Sequence, residues 1–178
     1  MLLLTLFSLL VGMVSAEQTM ITITDASGSY EETVDVSITI SNADDVGSLD
    51  MALTYDPTIL QFDSVSKGDL NKGMISSYTE TEGIFTLAIA DQNGITGDGE
   101  IAVVSFTVMD ETGSSPLIAE NLVVYDVDGL ELDASAESCT FTVSELESDP
   151  KADSPGFELI ILCLGLILVL WLVRGRKK

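Results

Sequence analysis

Residues 46–62 read Val-Gly-Ser-Leu-Asp-Met-Ala-Leu-Thr-Tyr-Asp-Pro-Thr-Ile-Leu-Gln-Phe. Large apolar side chains alternate with small or polar ones over the first part of this stretch. One side of the alternation holds Leu49, Met51, Leu53 and Tyr55, and the other holds Ser48, Asp50, Ala52 and Thr54. Successive side chains of a β-strand point to opposite faces, so the pattern predicts a strand with one buried and one outward side. Pro57 fixes a backbone dihedral and favours a turn directly after it.

The same period of two recurs along most of the chain between the two ends. It predicts nine short strands, at residues 19–24, 34–40, 46–55, 60–66, 74–78, 84–90, 100–109, 117–125 and 139–143. The segments between them are rich in Gly, Asp, Asn and Pro, and we interpret them as turns; examples are 92–94 and 96–99. We therefore predict an all-β fold, a nine-stranded antiparallel jelly-roll sandwich.

Both ends of the chain are apolar. Residues 1–16 carry no charge and end in the small-residue pattern Val-Ser-Ala, which predicts a signal peptide that lacks the usual basic start. Residues 159–173 are also uncharged, and a basic tail follows them, which predicts a C-terminal membrane segment. As a helix this segment would span only about 22 Å, against a hydrocarbon core of about 30 Å. Residues 17–143 are then the folded domain and residues 144–154 a short acidic stalk.

The segment between these two ends is strongly acidic. Residues 17–154 hold 28 of the 29 acidic side chains and only three lysines, a net charge of −25. Such a surface repels nucleic acid, so DNA and RNA binding are excluded. It favours cationic partners, divalent ions or a salty medium, and the alternative is that the charge only keeps a protein outside the cell solvated in salt. Acidity alone leaves both interpretations open.

The side chains that most enzyme sites require are absent from this sequence. There is no histidine, no Gly-x-Ser-x-Gly motif and no phosphate-binding glycine loop. The many acids permit a glycosidase-like carboxylate pair, but nothing distinguishes one pair from the rest. We predict a non-catalytic protein without a cofactor, and a glycoside hydrolase fragment is a third alternative.

Two smaller features have a structural and a functional interpretation. Cys139 is the single cysteine of the exported part, so no disulfide forms there, and its alternation with Phe141 and Val143 predicts a buried structural thiol.

A group of acids raises the question of a calcium site: Asp126, Asp128, Glu131 and Asp133. Side chains two apart along a strand point in parallel rather than converging, so we prefer a tight turn at Gly129.

Three stretches resemble the cohesin family. They are the strand of residues 46–62 that ends in Tyr-Asp-Pro, the Gly-Asp turn of residues 65–70, and the Gly-Asp-Gly turn that leads into a core strand at residues 95–108. The resemblance covers residues 19–143. It implies a non-catalytic sandwich of the kind found in cellulosome-type scaffolds for polysaccharide breakdown. The implied partner is a dockerin, a small helical module that carries its own calcium and docks on one flat sheet face.

The resemblance also suggests which residues contact the partner. Ser48 and Asp50 match contact positions of the family, Asp91 matches a third acidic one, and Ala88 lies near a fourth. Ala52 belongs to the same outward row as Ser48 and Asp50. Carboxylates and hydroxyls on a rigid strand can accept hydrogen bonds from Lys, Arg, Ser or Thr of a helix. The alternative is that these side chains only solvate a sheet face.

A carbohydrate- or surface-binding adhesin without a dockerin partner is the main alternative function. That function requires a planar row of exposed aromatic rings. The exported part has four tyrosines and four phenylalanines and no tryptophan; they are Tyr30, Tyr55, Tyr78, Tyr125, Phe62, Phe85, Phe106 and Phe141. Most fall on apolar positions of the alternation, so we predict that they pack in the core.

The C-terminal end has a resemblance of its own. Pro155-Gly156-Phe157, followed by a short apolar block and a basic tail, is similar to the Pro-Gly-Phe sorting signal of archaeal surface proteins. The resemblance implies an archaeal source and an archaeosortase-type enzyme that removes the segment while a lipid is attached. A plain single-span anchor is the alternative. In either case we expect an exported protein held at the cell surface.

Overall fold

The computed structural model describes residues 17–144, except for the side chain of Glu80. The predicted signal peptide, the rest of the stalk, the sorting signal and the apolar block lie outside these residues. The described chain forms nine strands: β1 (Thr19–Ile23), β2 (Ala26–Gly28), β3 (Thr33–Thr54), β4 (Leu60–Lys67), β5 (Met74–Thr81), β6 (Ile84–Val108), β7 (Ser114–Asp126), β8 (Ala134–Glu137) and β9 (Cys139–Val143). Within 17–144 there is no helix long and apolar enough to cross a membrane.

Two of the predicted breaks between strands are wrong. The strands predicted at 34–40 and 46–55 merge into the single strand β3, which ends at Thr54, and those predicted at 84–90 and 100–109 merge into β6, which ends at Val108. The segments between them are bends that face each other, with Ala43 paired to Gly97 across shifts of register. Asn42, Asp45, Gly94 and Gly97 have positive φ there. Such residues are typical of turns, but here they form bulges that bend a continuous strand.

The bends divide the sheet into two halves. Half I has the order β8-β1-β3-β6-β4 and uses residues 33–41 of β3 and 99–107 of β6. Half II has the order β5-β6-β3-β7 and uses residues 84–95 of β6 and 46–54 of β3. β9 pairs with the start of β7, and β2 pairs with β9. The β1–β8 and β2–β9 pairs are parallel, which corrects the prediction of a wholly antiparallel sandwich.

One hydrophobic core fills the space between the halves. The buried side chains of both halves belong to a single cluster. Phe62 of half I stacks on Phe85 of half II with ring centroids 4.3 Å apart, and Tyr55 meets the Phe106 ring edge to face at 5.3 Å. The sandwich prediction is therefore confirmed. Among residues 17–144, the buried core residues run from Ile21 to Val143 and belong to one compact unit of the chain.

The Tyr-Asp-Pro segment forms the predicted turn. The Asp56 side chain accepts hydrogen bonds from the hydroxyl of Thr58 at 2.7 Å and from its backbone N–H at 2.9 Å. These two bonds lower the pKa of Asp56 from its usual value. The backbone N–H of Asp56 donates to the hydroxyl of Ser115, which is fully buried at the start of β7. The turn is thereby fixed to the neighbouring strand.

The acidic group near Gly129 also forms the turn that we preferred. One carboxylate oxygen of Asp126 accepts the backbone N–H of Asp128 at 2.9 Å and that of Leu130 at 2.8 Å. Gly129 adopts a φ of 81°, which a glycine tolerates without strain. In residues 17–144 no three His, Cys, Asp or Glu side chains are grouped so that they could hold a metal ion.

Cys139 is half-buried rather than buried as predicted. Its thiol donates a weak hydrogen bond to the backbone carbonyl of Thr24, with the sulfur 3.4 Å from the oxygen. Burial, with a smaller contribution from the nearby carboxylate of Asp25, raises the pKa of Cys139 to about 11. A thiol with so high a pKa carries little thiolate near neutral pH and is a poor nucleophile.

Candidate functional site

The outward surface of half II combines polar and apolar side chains, and we call it the mixed face. β3 and β6 supply its centre, while β5 and β7 supply its two sides. Cross-strand pairing and burial together assign its members: Ser48, Asp50, Ala52, Thr54, Met74, Ser76, Tyr78, Thr86, Ala88, Ala90, Ile118, Glu120, Val123 and Tyr125. These side chains stand on four adjacent paired strands, so the surface is rigid and nearly flat.

Four of the five predicted contact residues come together at the centre of this face. Asp50 lies directly opposite Ala88, Ser48 lies opposite Ala90, and Ala52 lies opposite Thr86. Asp50 is exposed, while Ser48, Ala52 and Ala88 are half-buried between their neighbours. The predicted outward orientation of the row from Ser48 to Thr54 is therefore confirmed.

Asp91, the fifth predicted contact, does not lie on the mixed face. Its side chain is only 3 % exposed, and one carboxylate oxygen accepts the backbone N–H of Asn93 at 3.0 Å. Asp91 follows the alternation of Leu87 and Ile89, which point inward, whereas Ala88 and Ala90 point outward. Asp91 therefore stabilises the bend of β6, and the prediction that it contacts a partner on this face is wrong.

The apolar residues of the mixed face were not among the predicted contact residues. Met74 is 73 % exposed and Tyr78 is 56 % exposed, and β5 presents both beside the central row because Ser76 pairs with Ala88. Tyr125 joins from β7, opposite Ser48. Core packing was predicted for all the tyrosines, and it is wrong for Tyr78, for Tyr30, which is 40 % exposed, and for Tyr125, which is half-buried on the outward face. The antiparallel pairing of β5 with β6, across the turn at Glu82 and Gly83, places Met74 and Tyr78 on this face.

The mixed face has a shallow depression at its centre. Side chains of three strands line it, including Ser48, Asp50, Met74, Ser76 and Ala88. Asp50 and Glu120 place two carboxylates on the mixed face, and its defining residues include no cation. The surface can therefore accept charge-assisted hydrogen bonds from a basic partner while Met74 and the tyrosines supply apolar contact.

The opposite surface of the sandwich, on half I, has a different chemistry. Hydroxyl groups of neighbouring strands already donate to its carboxylates. Ser105 donates to Asp35 at 2.5 Å, Thr107 donates to Asp63 at 2.7 Å, and Ser37 donates to Glu100. These acids have part of their hydrogen-bonding capacity satisfied within the chain. The mixed face is therefore the better candidate for contact with another molecule.

The two tyrosines of the mixed face, exposed Tyr78 and half-buried Tyr125, do not form a row. Tyr78 lies on β5 opposite Thr86, and Tyr125 lies on β7 opposite Ser48. Three strand spacings, about 14 Å, separate β5 from β7. The two rings thus occupy opposite corners of the surface. A sugar chain that stacks on adjacent coplanar rings would find no such platform between them.

The fold and this surface define a class of protein: a β-sandwich that offers one flat, mixed sheet face at which another molecule can dock. Comparison with known proteins gives the family. Residues 19–143 match the cohesin domain, and the chain belongs to the cohesin family.

The relatives differ widely in size and source. The non-cellulosomal cohesin of the hyperthermophilic archaeon Archaeoglobus fulgidus is 30 % identical, with a TM-score of 0.67 over 74 % of this chain and 94 % of that one. CaCohA2 of Clostridium acetobutylicum, solved in a complex with a variant of CaDoc0917, is 25 % identical, with a TM-score of 0.67 over 71 % of this chain and 100 % of that one. Cellulose-binding protein A of Clostridium cellulovorans is 28 % identical over 139 residues, which cover 74 % of this chain and only 8 % of that protein.

Proposed function

We propose that this chain is a non-catalytic cohesin module that binds dockerin-bearing proteins through the mixed face. The observation that carries the proposal is the meeting of Ser48, Asp50, Ala52 and Ala88 on one flat sheet surface. Membership of the cohesin family and the complex of CaCohA2 with the CaDoc0917 variant support the class of partner. The adhesin alternative has less support, because Tyr78 and Tyr125 lie at opposite corners of the face and Tyr125 is half-buried.

Binding through this face divides into polar and apolar contributions. Asp50 and Glu120 accept hydrogen bonds from lysine, arginine or hydroxyl side chains of a partner helix. Met74 and Tyr78 provide apolar surface of the kind that concentrates binding energy. An interface of ordinary size would bury about 800 Å² on each partner. The calcium belongs to the dockerin, and this module needs no cofactor of its own.

The proposal includes the place where the module acts. We propose an archaeal protein that is exported and held at the cell surface by the C-terminal segment or by a lipid that replaces it. The sequence Pro155-Gly156-Phe157, the short apolar block and the basic tail support this part. The intact mass of the protein recovered from membranes tests it. Processing predicts a mass without residues 159–178 and with an added lipid, and a mass that retains those residues would contradict it.

Calorimetry tests the binding function. Residues 17–144 are titrated with dockerin modules from the source organism, with and without calcium. We expect saturable binding that requires calcium and weakens as salt rises, because salt screens the attraction between the acidic face and a basic partner. No binding to any of these modules, together with binding to a surface polysaccharide, would overturn the proposal in favour of the adhesin.

A further inference from the structure

The described strands that end the sheet differ in how well they are protected from pairing with another strand. Within residues 17–144, β2, β4, β5 and β8 each pair on one side only. The part of β7 after Leu117 also pairs with one strand only, but it carries Glu120, has a bulge and is bridged to Glu131. β2 has three residues and β8 has four. β4 carries Asp63 and Lys67 and has a bulge between Phe62 and Ser64. Short length, charge and bulges are the usual means by which proteins block a sheet edge.

The edge of β5 lacks these means over most of its length. Residues Met74–Thr79 contain no charge and no proline, and the single shift of register comes after Thr79. A cleft of about 300 Å³, lined by residues that include Phe62 of β4 and Thr79 of β5, lies between the two strands. At the other end of this edge, the ammonium group of Lys67 on β4 donates to the backbone carbonyl of Gly73. Among the described strands, residues Met74–Thr79 pair only with β6, so this uncharged six-residue edge has no strand partner on its outer side.

We infer that two copies of this chain pair through their β5 edges as antiparallel strands. Residues 17–144 hold 24 acidic side chains against two lysines, so most surfaces of two copies repel each other. Residues Met74–Thr79 are an uncharged stretch where they can approach. Met, Ile, Tyr and Thr in this stretch are also well suited to a strand. The partner strand that suits this edge is thus the same strand of a second copy.

The position of Glu80 favours one register for this pairing. A twofold axis through Ser76, perpendicular to the sheet, pairs residues 73–79 of the two copies and leaves Glu80 outside the ladder. Met74 then lies opposite Tyr78 of the second copy, a contact between a thioether and an aromatic ring. The axis also leaves both mixed faces on the same side. The dimer thereby presents two mixed faces side by side. This pairing goes beyond the proposed function and does not depend on it.

Salt separates this association from the binding of a basic partner. The β5 contact is uncharged, but the two bodies that it joins carry the same strong negative charge. Screening therefore strengthens the dimer, whereas it weakens the attraction between the acidic face and a cationic partner. We expect the dissociation constant of the dimer to fall several-fold between about 0.05 and 0.5 M NaCl.

Disulfide trapping tests the register directly. Ser76→Cys is made in residues 17–144 with Cys139→Ser, so that each chain has one thiol. Directly opposed residues of antiparallel strands have Cα atoms about 4.5–5.5 Å apart, which a disulfide can bridge. Ser66→Cys, an exposed position on the β4 edge, is the matched control. We expect Ser76→Cys to form covalent dimers at least about tenfold faster than the control. Equal rates would overturn the proposed pairing.

Sedimentation equilibrium gives an independent readout. Thr79→Lys lowers the net negative charge, so nonspecific repulsion between copies decreases. It also places a cation at the end of the paired stretch, where pairing with the second copy would desolvate the cation. We expect the unsubstituted domain to dimerise and Thr79→Lys to remain a monomer in high salt. A monomeric unsubstituted domain at every salt concentration, or stronger association of Thr79→Lys, would contradict the inference.

Discussion

Asp50→Lys is expected to weaken binding of the dockerin partner by about 100-fold or more, because a cation replaces the acceptor at the centre of the mixed face. Asp50 is exposed on β3, so its replacement removes no core contact. Exposed substitutions of this kind usually change the free energy of unfolding by less than about 0.5 kcal/mol. Calorimetry with the dockerin, together with thermal unfolding of the free domain, measures both effects.

Glu137→Lys is the matched control for this change. It alters the net charge by the same amount at an exposed position on β8, in half I of the sandwich. We expect its effect on binding to be small and confined to the long-range electrostatic attraction. If the two variants lose the same affinity, the net charge of the domain rather than the mixed face controls binding. If Asp50→Lys unfolds the domain, the outward assignment of Asp50 fails.

Phe85→Ala is expected to lower the free energy of unfolding by about 3–5 kcal/mol. Phe85 is fully buried and stacks on Phe62 with centroids 4.3 Å apart, so alanine leaves a cavity where the two halves meet. A loss of this size lowers the melting temperature by about 10–20 °C in a domain of this length. Urea unfolding followed by circular dichroism measures the effect.

Tyr30→Ala is the control for the loss of an aromatic ring. Tyr30 is 40 % exposed in the turn before β3, and we expect its removal to change stability far less than that of Phe85. Similar losses for the two variants would contradict the assignment of Phe85 to the centre of the core. Dimer formation through β5 involves neither position, so both variants should keep it.

The strands were largely predictable from the sequence, but their connections were not. Alternation identified the cores of β1, β4, β7 and β9, because one face of each strand must be apolar. It failed at residues 41–45 and 91–99, where Asn42, Gly94 and Gly97 have the composition of turns. Whether such residues end a strand or bend it depends on the facing strand. Here the bend of β3 lies opposite the bend of β6, which is long-range information.

The residues of the candidate site were also only partly predictable from the sequence. A period of two was sufficient to place Ser48, Asp50 and Ala52 on one side of β3. The same rule applied to β6 places Asp91 on the inward side and Ala88 on the outward side. The alternation therefore contradicts the contact that the family resemblance implied for Asp91. Met74 and Tyr78 were not identified, although β5 and β6 are joined by a two-residue turn. Each side of β5 mixes apolar and polar side chains, so the alternation does not show which side faces outward.

β3 and β6 each run through both halves of the sandwich, and this determines how the domain folds. One continuous ladder joins Thr54 to Ile84 at one end and Thr33 to Thr107 at the other. The last of these contacts closes a loop of more than 70 residues, so its formation is entropically costly and slow. β3 and β6 form the centre of both halves, so neither half can keep its sheet while the other is melted. Amide exchange in both halves should therefore require one shared global opening, without a half-folded intermediate.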